Sequence, residues 1–342
     1  MTQVGRRELL KAGAALGSLA VMGQVQVQAQ SQQRDSQNTA RPSFPAAVMR
    51  VPVLVPPTQD AFEDVRRRNA EAMVEAIENL MRSTPVKPRV VVFPVLQYTS
   101  ARRAVSGVPI ETVAVDLVSE HLDQGIFAPV IAACRRHNCY VATSTQEKIP
   151  QLPGTYFHTG FIMGPEGLVL RSPKTQAQSA PNVSYLRDIE EEYLKIFGPD
   201  SIMPVVDTPV GKLACFVHSE AEVLEASRLL SSKGADLILH TSFESDDTPW
   251  QALKQAIGFQ CHVFLLTGTT SRVIMADDPA GEWSGGASTI VGPDGRVLVS
   301  IGGQDEGFAV AEINLADIDA AKEKFARNTV PAWGLYKDLY RD

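Results

Sequence analysis

Two segments of the chain repeat one pattern, and this repeat constrains the fold more than any other feature of the sequence. Residues 160–172 and 287–300 each contain an apolar stretch, a Gly-Pro-acid-Gly turn and a second apolar stretch. Proline fixes one backbone angle of such a turn, and glycine accepts the positive φ that the turn requires. Each segment is therefore predicted to form a β-hairpin, and the repeat indicates two similar halves.

The segments around the hairpins alternate between strand patterns and helix patterns. Apolar residues recur with a helical period over 63–81 and 127–136, whereas 51–55, 89–94 and 140–144 are short apolar runs typical of strands. Alternating strands and helices in two similar halves predict an α/β fold. We expect two mixed β-sheets stacked face to face with helices outside, an αββα four-layer sandwich.

The N-terminal region has the composition of an export signal. Paired arginines, Arg6 and Arg7, precede a short uncharged run and a small-x-small site that ends at Ala29. Residues 1–29 are predicted to be a twin-arginine-type signal peptide, which places the protein in the periplasm or outside the cell. The apolar run is shorter than the roughly 20 residues that span a bilayer, so no stable membrane anchor is expected.

The next segment, 30–45, is rich in Ser, Gln, Asn and Arg without an apolar period, and is predicted to be a disordered leader. The folded domain is then expected to occupy 46–342. Cys134 and Cys139 form the only close cysteine pair in the sequence. They are predicted to end a helix and to start a strand, a geometry that rarely suits a disulfide, so free thiols are expected.

Composition and motifs argue against several classes of function. The 342 residues carry a net charge of -7, which gives no electrostatic footprint for nucleic acid. The sequence contains no Gly-rich phosphate loop, no CxxC pair and no HExxH pattern. We therefore expect neither a cofactor nor a metal, and the partner is predicted to be a small molecule.

Function is best indicated by the stretch 211–239. Seven residues after Gly211 comes His218, followed by Glu220 and by a Gly-Ala-Asp turn at 234–236. The spacing resembles the nucleophile segment of the nitrilase, or carbon–nitrogen hydrolase, superfamily, in which a catalytic cysteine stands where this chain has His218. The resemblance covers nearly everything after residue 51, and it implies the nitrilase-like four-layer sandwich.

Two further motifs carry the resemblance. Residues 93–96 read Phe-Pro-Val-Leu where the family has Phe-Pro-Glu-Leu, and 173–175 read Pro-Lys-Thr where it has Arg-Lys-Thr. In the family the cysteine attacks an amide or nitrile carbon, the glutamate is the general base, and the lysine stabilises the oxyanion. The resemblance thus implies that Lys174 is retained, while Val95 replaces the base and His218 the nucleophile.

Three interpretations of His218 are open at this point. It could attack an acyl carbon, it could act as general base for water, since its ordinary pKa is near 6.5, or it could be a hydrogen-bonded ring that fills space. We favour the third, because the base position was lost with the nucleophile. Glu220 is a candidate shifted base if the strand continues past His218. Cys215 lies three residues upstream, on the opposite strand face, and is expected to be a small buried hydrophobe.

These residues lead to two functional hypotheses. The first is an exported family member without thiol chemistry, which binds a partner or a small ligand, anionic if Lys174 contacts it. The alternative is an active amidase-like hydrolase that uses His218 as base or nucleophile and Lys174 as oxyanion holder. The aromatic tail at 328–340 and the pairing common in the family further predict a homodimer, with the helix after His218 near its two-fold axis.

Overall fold

The computed structural model describes residues 41–95, 109–117, 125–176, 183–244, 247–275 and 278–325. The strands are β1 Ser43–Arg50, β2 Val53–Leu54, β3 Val90–Val92, β4 Tyr140–Lys148, β5 Tyr156–Gly164, β6 Gly167–Pro173, β7 Val205–Thr208, β8 Gly211–Val217, β9 Leu237–Ser242, β10 Phe264–Thr269, β11 Arg272–Met275, β12 Asp278–Trp283, β13 Ser288–Val291, β14 Val297–Ile301 and β15 Gly307–Asn314. The α-helices are α1 Phe62–Ser83, α2 Ile110–Val113, α3 Ala128–His137, α4 Glu190–Phe197, α5 Leu224–Ser232, α6 Asp247–Cys261 and α7 Ala316–Phe325.

Two six-stranded mixed sheets form the centre of the fold. Their strand orders are β15-β1-β3-β4-β5-β6 and β14-β13-β10-β9-β8-β7. One apolar core fills the space between the sheets, a second lies between the first sheet and helices α1 and α3, and a third lies between the second sheet and helices α5 and α6. The predicted αββα sandwich is therefore confirmed. A small sheet, β12-β11-β2, was not foreseen.

Local sequence explains most of these elements. Both repeated segments form hairpins, β5–β6 and β13–β14, and Gly167 and Gly295 adopt the positive φ that their turns need, 111° and 81°. Helix α1 buries the apolar stripe that its period predicted, including Val65, Met73 and Ile77. Such a stripe stabilises a helix by removing apolar surface from water, at about 25 cal/mol per Å².

The start of the fold corrects one prediction. Strand β1 begins at Ser43, so the last three residues of the predicted leader, 30–45, belong to the first sheet. Phe44 pairs with Ile313 of β15, and its ring is buried. This pairing adds residues to the sheet that the polar composition just upstream had assigned to the leader. The predicted strand 51–55 shrinks to the two residues of β2. The predicted signal peptide, 1–29, lies outside the described residues.

The cysteines lie where the sequence-based expectation placed them. Cys134 lies near the end of α3, Cys139 immediately precedes β4, and all four cysteines of the chain are free and buried. Within the described ranges, no helix combines the length and apolar character needed to cross a membrane.

Candidate functional site

A sharp elbow at the end of β8 presents His218. The strand ends at Val217, and a 3₁₀ helix, His218–Glu222, follows directly. His218 itself has φ 47°, in the left-handed region that non-glycine residues rarely adopt. Such strained residues persist only where the surrounding structure fixes them, and they cluster at functional sites. His218 thus stands at the carboxyl end of a parallel strand, on the turn into a helix.

The carboxylate of Glu220 holds this elbow together. Its Oε1 accepts hydrogen bonds from the backbone N–H of Thr175 at 2.8 Å and from its hydroxyl at 3.1 Å, and its Oε2 accepts the N–H of Val217 at 3.1 Å. Burial raises the pKa of Glu220 to about 7, against these bonds and the charge of Lys174, which favour the ionised form. Glu220 does not share a strand face with His218, because the strand ends at Val217. Glu220 caps the elbow.

Replacing Glu220 should therefore unfold the elbow before it affects any chemistry. We expect Glu220→Ala to lower the free energy of unfolding by about 2–4 kcal/mol, since two buried N–H groups and one hydroxyl lose their acceptor. Chemical denaturation at pH 7 measures the loss. As a control, Glu225→Ala alters a carboxylate on the neighbouring helix and should change stability by less than about 0.5 kcal/mol. Equal, small losses in both variants would contradict the capping role.

Aromatic rings support His218 from one side. Its imidazole stacks on the indole of Trp250 with centroids 5.4 Å apart and planes 21° apart, and the same indole stacks on His240 at 6.0 Å. His240 Nε2 donates to the carbonyl of His218 at 3.0 Å, and its Nδ1 accepts from the Thr267 hydroxyl at 3.1 Å. A carbonyl oxygen can only accept, so these partners fix the tautomer of His240. Neither His240 nor Trp250 was predicted from the sequence.

Lys174 lies beside the elbow, as predicted. Its side chain is 5% exposed, and its Nζ donates to the hydroxyl of Ser219 at 3.0 Å. Burial lowers the pKa of Lys174, against the attraction of Glu220 and Glu222. Burial and the charge of Lys174 together lower the pKa of His218 to about 4.

A second histidine, His158 on β5, belongs to the same cluster. Its Nε2 lies 3.1 Å from the hydroxyl of Ser144. Burial, Lys174 and His218 all hold the pKa of His158 well below its ordinary value. At neutral pH the site therefore contains two uncharged imidazoles next to one buried amine.

The lowered pKa of His218 makes stability depend on pH. Between pH 6.5 and 4 the unfolded chain binds a proton on this histidine that the folded chain does not, so stability that is fully present above pH 6.5 is lost as the pH falls toward 4. We expect the wild type to lose roughly 2–3 kcal/mol more than His218→Gln between pH 7 and pH 4. Urea unfolding across this range measures the difference, and parallel curves would contradict the shift. His218 also contributes to the lowered pKa of His158 and of His240, so the difference reports everything that His218 contributes to the pH dependence.

The structure places an apolar side chain at the predicted base position. Val95 follows β3, is 3% exposed, and donates its backbone N–H to the carbonyl of Ser242 at 3.3 Å. Strands β8 and β9 pair Val217 with Thr241, so Val95 lies one strand away from the elbow. Cys215 packs in the core between the sheets, and burial raises the pKa of its thiol. It is a buried hydrophobe, as expected, and no alternative nucleophile.

Over the ranges that the structure describes, no three His, Cys, Asp or Glu side chains converge in a way that could hold a metal ion.

The comparison with protein families identifies the scaffold. Residues 63–323 match the family model described as carbon–nitrogen hydrolase. The chain belongs to the carbon–nitrogen hydrolase family. This confirms the resemblance inferred from the motifs around Val95, Lys174 and His218.

Curated relatives of this carbon–nitrogen hydrolase family member are distant. The chain is 27% identical over 175 residues to omega-amidase NIT2-A of Xenopus laevis, covering 50% of this chain and 60% of that protein. It is 24% identical over 191 residues to omega-amidase NIT2 of Homo sapiens, covering 55% and 65%, and 31% identical over 143 residues to nitrilase 1 of Arabidopsis thaliana, covering 37% and 41%. The chain thus spans about 60% of the length of the first of these relatives.

Solved structures share the fold over most of the chain. A carbon–nitrogen hydrolase from Helicobacter pylori superposes with a TM-score of 0.64 at 19% identity, covering 88% of this chain and 99% of that one. Nit3 of Saccharomyces cerevisiae, of the nitrilase superfamily, gives 0.63 at 16% identity, covering 86% and 96%. Identities this low establish the fold alone, so the activity has to be argued from the site.

Proposed function

We propose that this member of the carbon–nitrogen hydrolase family does not carry out thiol-based amide or nitrile hydrolysis and instead binds a small anionic ligand at the His218 elbow. One observation carries the proposal: where the resemblance implies a lysine, a nucleophile and a base, the sequence has Lys174, His218 and Val95. A thiol mechanism requires a thiolate and a base beside it. Val95 can accept no proton, and Cys215 is buried in the core between the sheets.

The charge balance of the site supports an anionic ligand. Lys174 is buried beside His158 and His218, and the only hydrogen bond its Nζ makes within the described chain is to the neutral Ser219. Glu220, the nearest acid, already accepts three hydrogen bonds that cap the elbow. A buried amine without a carboxylate bonded to it favours an anion from outside, because the anion offsets the cost of burying the charge.

A second candidate function is supported by one observation. His218 Nδ1 is buried and has no hydrogen-bond partner in the described part of the chain, so this nitrogen is free to take a proton from water or to attack a carbonyl. An amidase-like hydrolase with Lys174 as oxyanion holder would use it. Against this, no carboxylate in the described chain contacts the His218 ring to orient it or to stabilise its charged form.

Binding measurements test the proposal. We expect acetate and other short carboxylates to bind the purified protein and to raise its melting temperature, with affinity increasing as the pH falls from 7 to 5 because His218 and His158 gain charge more easily beside an anion. Lys174→Met should weaken this binding about tenfold or more. Lys212→Met, an exposed lysine on the same strand as the elbow, is the matched control. No binding, or equal binding by all three proteins, would refute the proposal.

Two properties beyond the site remain proposals. Export by the twin-arginine route is supported by the sequence of residues 1–29 alone. A homodimer is supported by α5, the helix after the elbow, where Leu224 is 51% exposed. Next to it lies a cavity of about 440 Å³, whose lining includes apolar residues such as Val223, Ala226 and Leu229 and charged ones such as Arg187 and Glu190. The aromatic tail at 328–340 lies outside the described residues.

A charge on α5 should separate the subunits. We expect Leu224→Glu to convert a dimer into a monomer at micromolar concentration, since the new carboxylate would lie in the contact. Light scattering of the wild type and the variant measures the mass. The control, Val297→Glu, introduces the same charge at an exposed position on β14, in the other half of the second sheet, and should leave the mass unchanged. A monomeric wild type would refute the dimer.

A further inference from the structure

A set of polar side chains follows the apolar core at one end of the first sheet. On β4, β5 and β6 the inward positions near the middle of the sheet are Ala142, Ile162 and Leu170, which belong to the core between the sheets. Because side chains alternate along a strand, the next inward positions are 144 and 146 on β4, 160 and 158 on β5, and 172 and 174 on β6 or just past its end. Except for Gly160, they are all polar.

Strand pairing arranges these residues in two cross-strand rows. Ser144 pairs with Gly160, which pairs with Ser172, and Gln146 pairs with His158. The backbone N–H of Lys174 donates to the carbonyl of His158 at 3.0 Å and extends the second row. Three strands thus contribute Gln146, His158 and Lys174 at one level.

The second sheet touches the first row at Gly160. A Cβ atom at Gly160 would lie 2.7 Å from Sγ of Cys215 and 2.9 Å from Cγ2 of Val217, so the two sheets touch there. Beyond Val217 the chain turns away at the His218 elbow. On the neighbouring strand, Thr241 pairs with Val217 and shares the inward face of Leu237 and Leu239. Polar groups of both sheets therefore face each other just past the contact.

Several of these groups lack partners although they are buried. The amide oxygen of Gln146, the hydroxyls of Ser172 and Thr241, and Nδ1 of His218 have no hydrogen-bond partner in the described part of the chain. Gln146 is 5% exposed, and Ser172 and Thr241 are 0% exposed. Buried polar atoms are nearly always paired in folded proteins, because leaving them unpaired destabilises the fold. Four such atoms, contributed by four different segments around Lys174, indicate groups arranged for a ligand.

We propose that Gln146, Ser172 and Thr241 contact the ligand of this site, and that the ligand is a short carboxylate bearing a hydroxyl or amide N–H group. This inference rests on the proposed function. Lys174 is the cation for the carboxylate. The amide oxygen of Gln146 can only accept, so it requires a donor on the ligand, and the two hydroxyls can donate or accept. A plain carboxylate would leave Gln146 unpaired, and a neutral amide would leave Lys174 without its anion.

The proposal predicts that removing these groups stabilises the ligand-free protein but weakens ligand binding. Thr241→Val and Ser172→Ala each remove a buried hydroxyl that has no partner in the free protein, so both variants should melt about 1–3 °C higher than the wild type. The same variants, and Gln146→Met, should bind the ligand about 3- to 10-fold more weakly. A purely structural hydroxyl would lower stability on removal and leave affinity unchanged.

Calorimetric titration of glycolate, succinamate, acetate and acetamide, with melting curves, provides the test. We expect glycolate or succinamate to bind more tightly than acetate, and acetamide not to bind. Thr84→Val is the control, because its buried hydroxyl donates to the carbonyl of Leu80 at 2.8 Å, far along the sequence from the site, so it should lose stability and keep affinity. If acetate binds but the three site variants bind like the wild type, this inference alone fails. If no carboxylate binds the wild type, the proposed function fails with it.

Discussion

Lys254→Met is expected to cost about 3–5 kcal/mol of unfolding free energy, because it leaves one half of an ion pair buried. Nζ of Lys254 lies 2.7 Å from Oε2 of Glu244, and both side chains are almost fully buried, at 1% and 0% exposure. The same amine donates to the carbonyl of Ala287 at 2.7 Å, so this carbonyl also loses its donor. Lys254 lies one turn of α6 after Trp250, which stacks on His218. The pair therefore fixes the helix that supports the site.

A double-mutant cycle separates the pair from the packing around it. We expect Lys254→Met/Glu244→Met to recover more than half of the loss, since an apolar pair of similar volume removes both buried charges. Urea unfolding at pH 7 gives the free energies. A single variant within about 1 kcal/mol of the wild type would show that the ion pair does not hold α6 in place.

The second large effect is a gain of activity. We expect His218→Cys/Val95→Glu to hydrolyse simple amides about 10²–10⁴ times faster than His218→Cys alone, because the double variant places a base near the thiol at the retained elbow. The elbow, its Glu220 cap and Lys174 are already present, so under the proposed function only a thiol and a base need to be introduced. Ammonia release measures the rate.

Adding Lys174→Met to this double variant is the matched control. It should abolish the gain, because the oxyanion loses its cation. A folded double variant without activity would show that the geometry between β3 and β8 has drifted further than the sequence indicates.

The fold could be predicted from the sequence because its determinants are local. The turn residues predicted both hairpins, and the helical period of the apolar residues predicted α1 and α3. The start of the fold depended on a distant partner instead. Strand β1 begins at Ser43 because β15, near the other end of the chain, pairs with it, and the composition around 30–45 carries no trace of that pairing.

The site was predictable in part. Spacing from Gly211 located His218, and a short motif located Lys174. Trp250 and His240 were missed because α6 and β9 reach the elbow only through tertiary packing. The capping contacts of Glu220 were not specified by the sequence, because their partner Thr175 lies 45 residues away along the chain. The inward polar residues could have been predicted from the sequence, namely Ser144, Gln146, Ser172 and Lys174. They occupy every second position of their strands, where a strand that faces an apolar core would have apolar residues.

Ammonia release from a panel of amides and nitriles, compared between the purified wild type and His218→Ala, tests the central claim most directly. The site has neither a thiol at the elbow nor a base at Val95, so both proteins should release ammonia at the same background rate. Wild-type release well above background that disappears in His218→Ala would contradict the account and identify His218 as a catalytic residue of an active hydrolase.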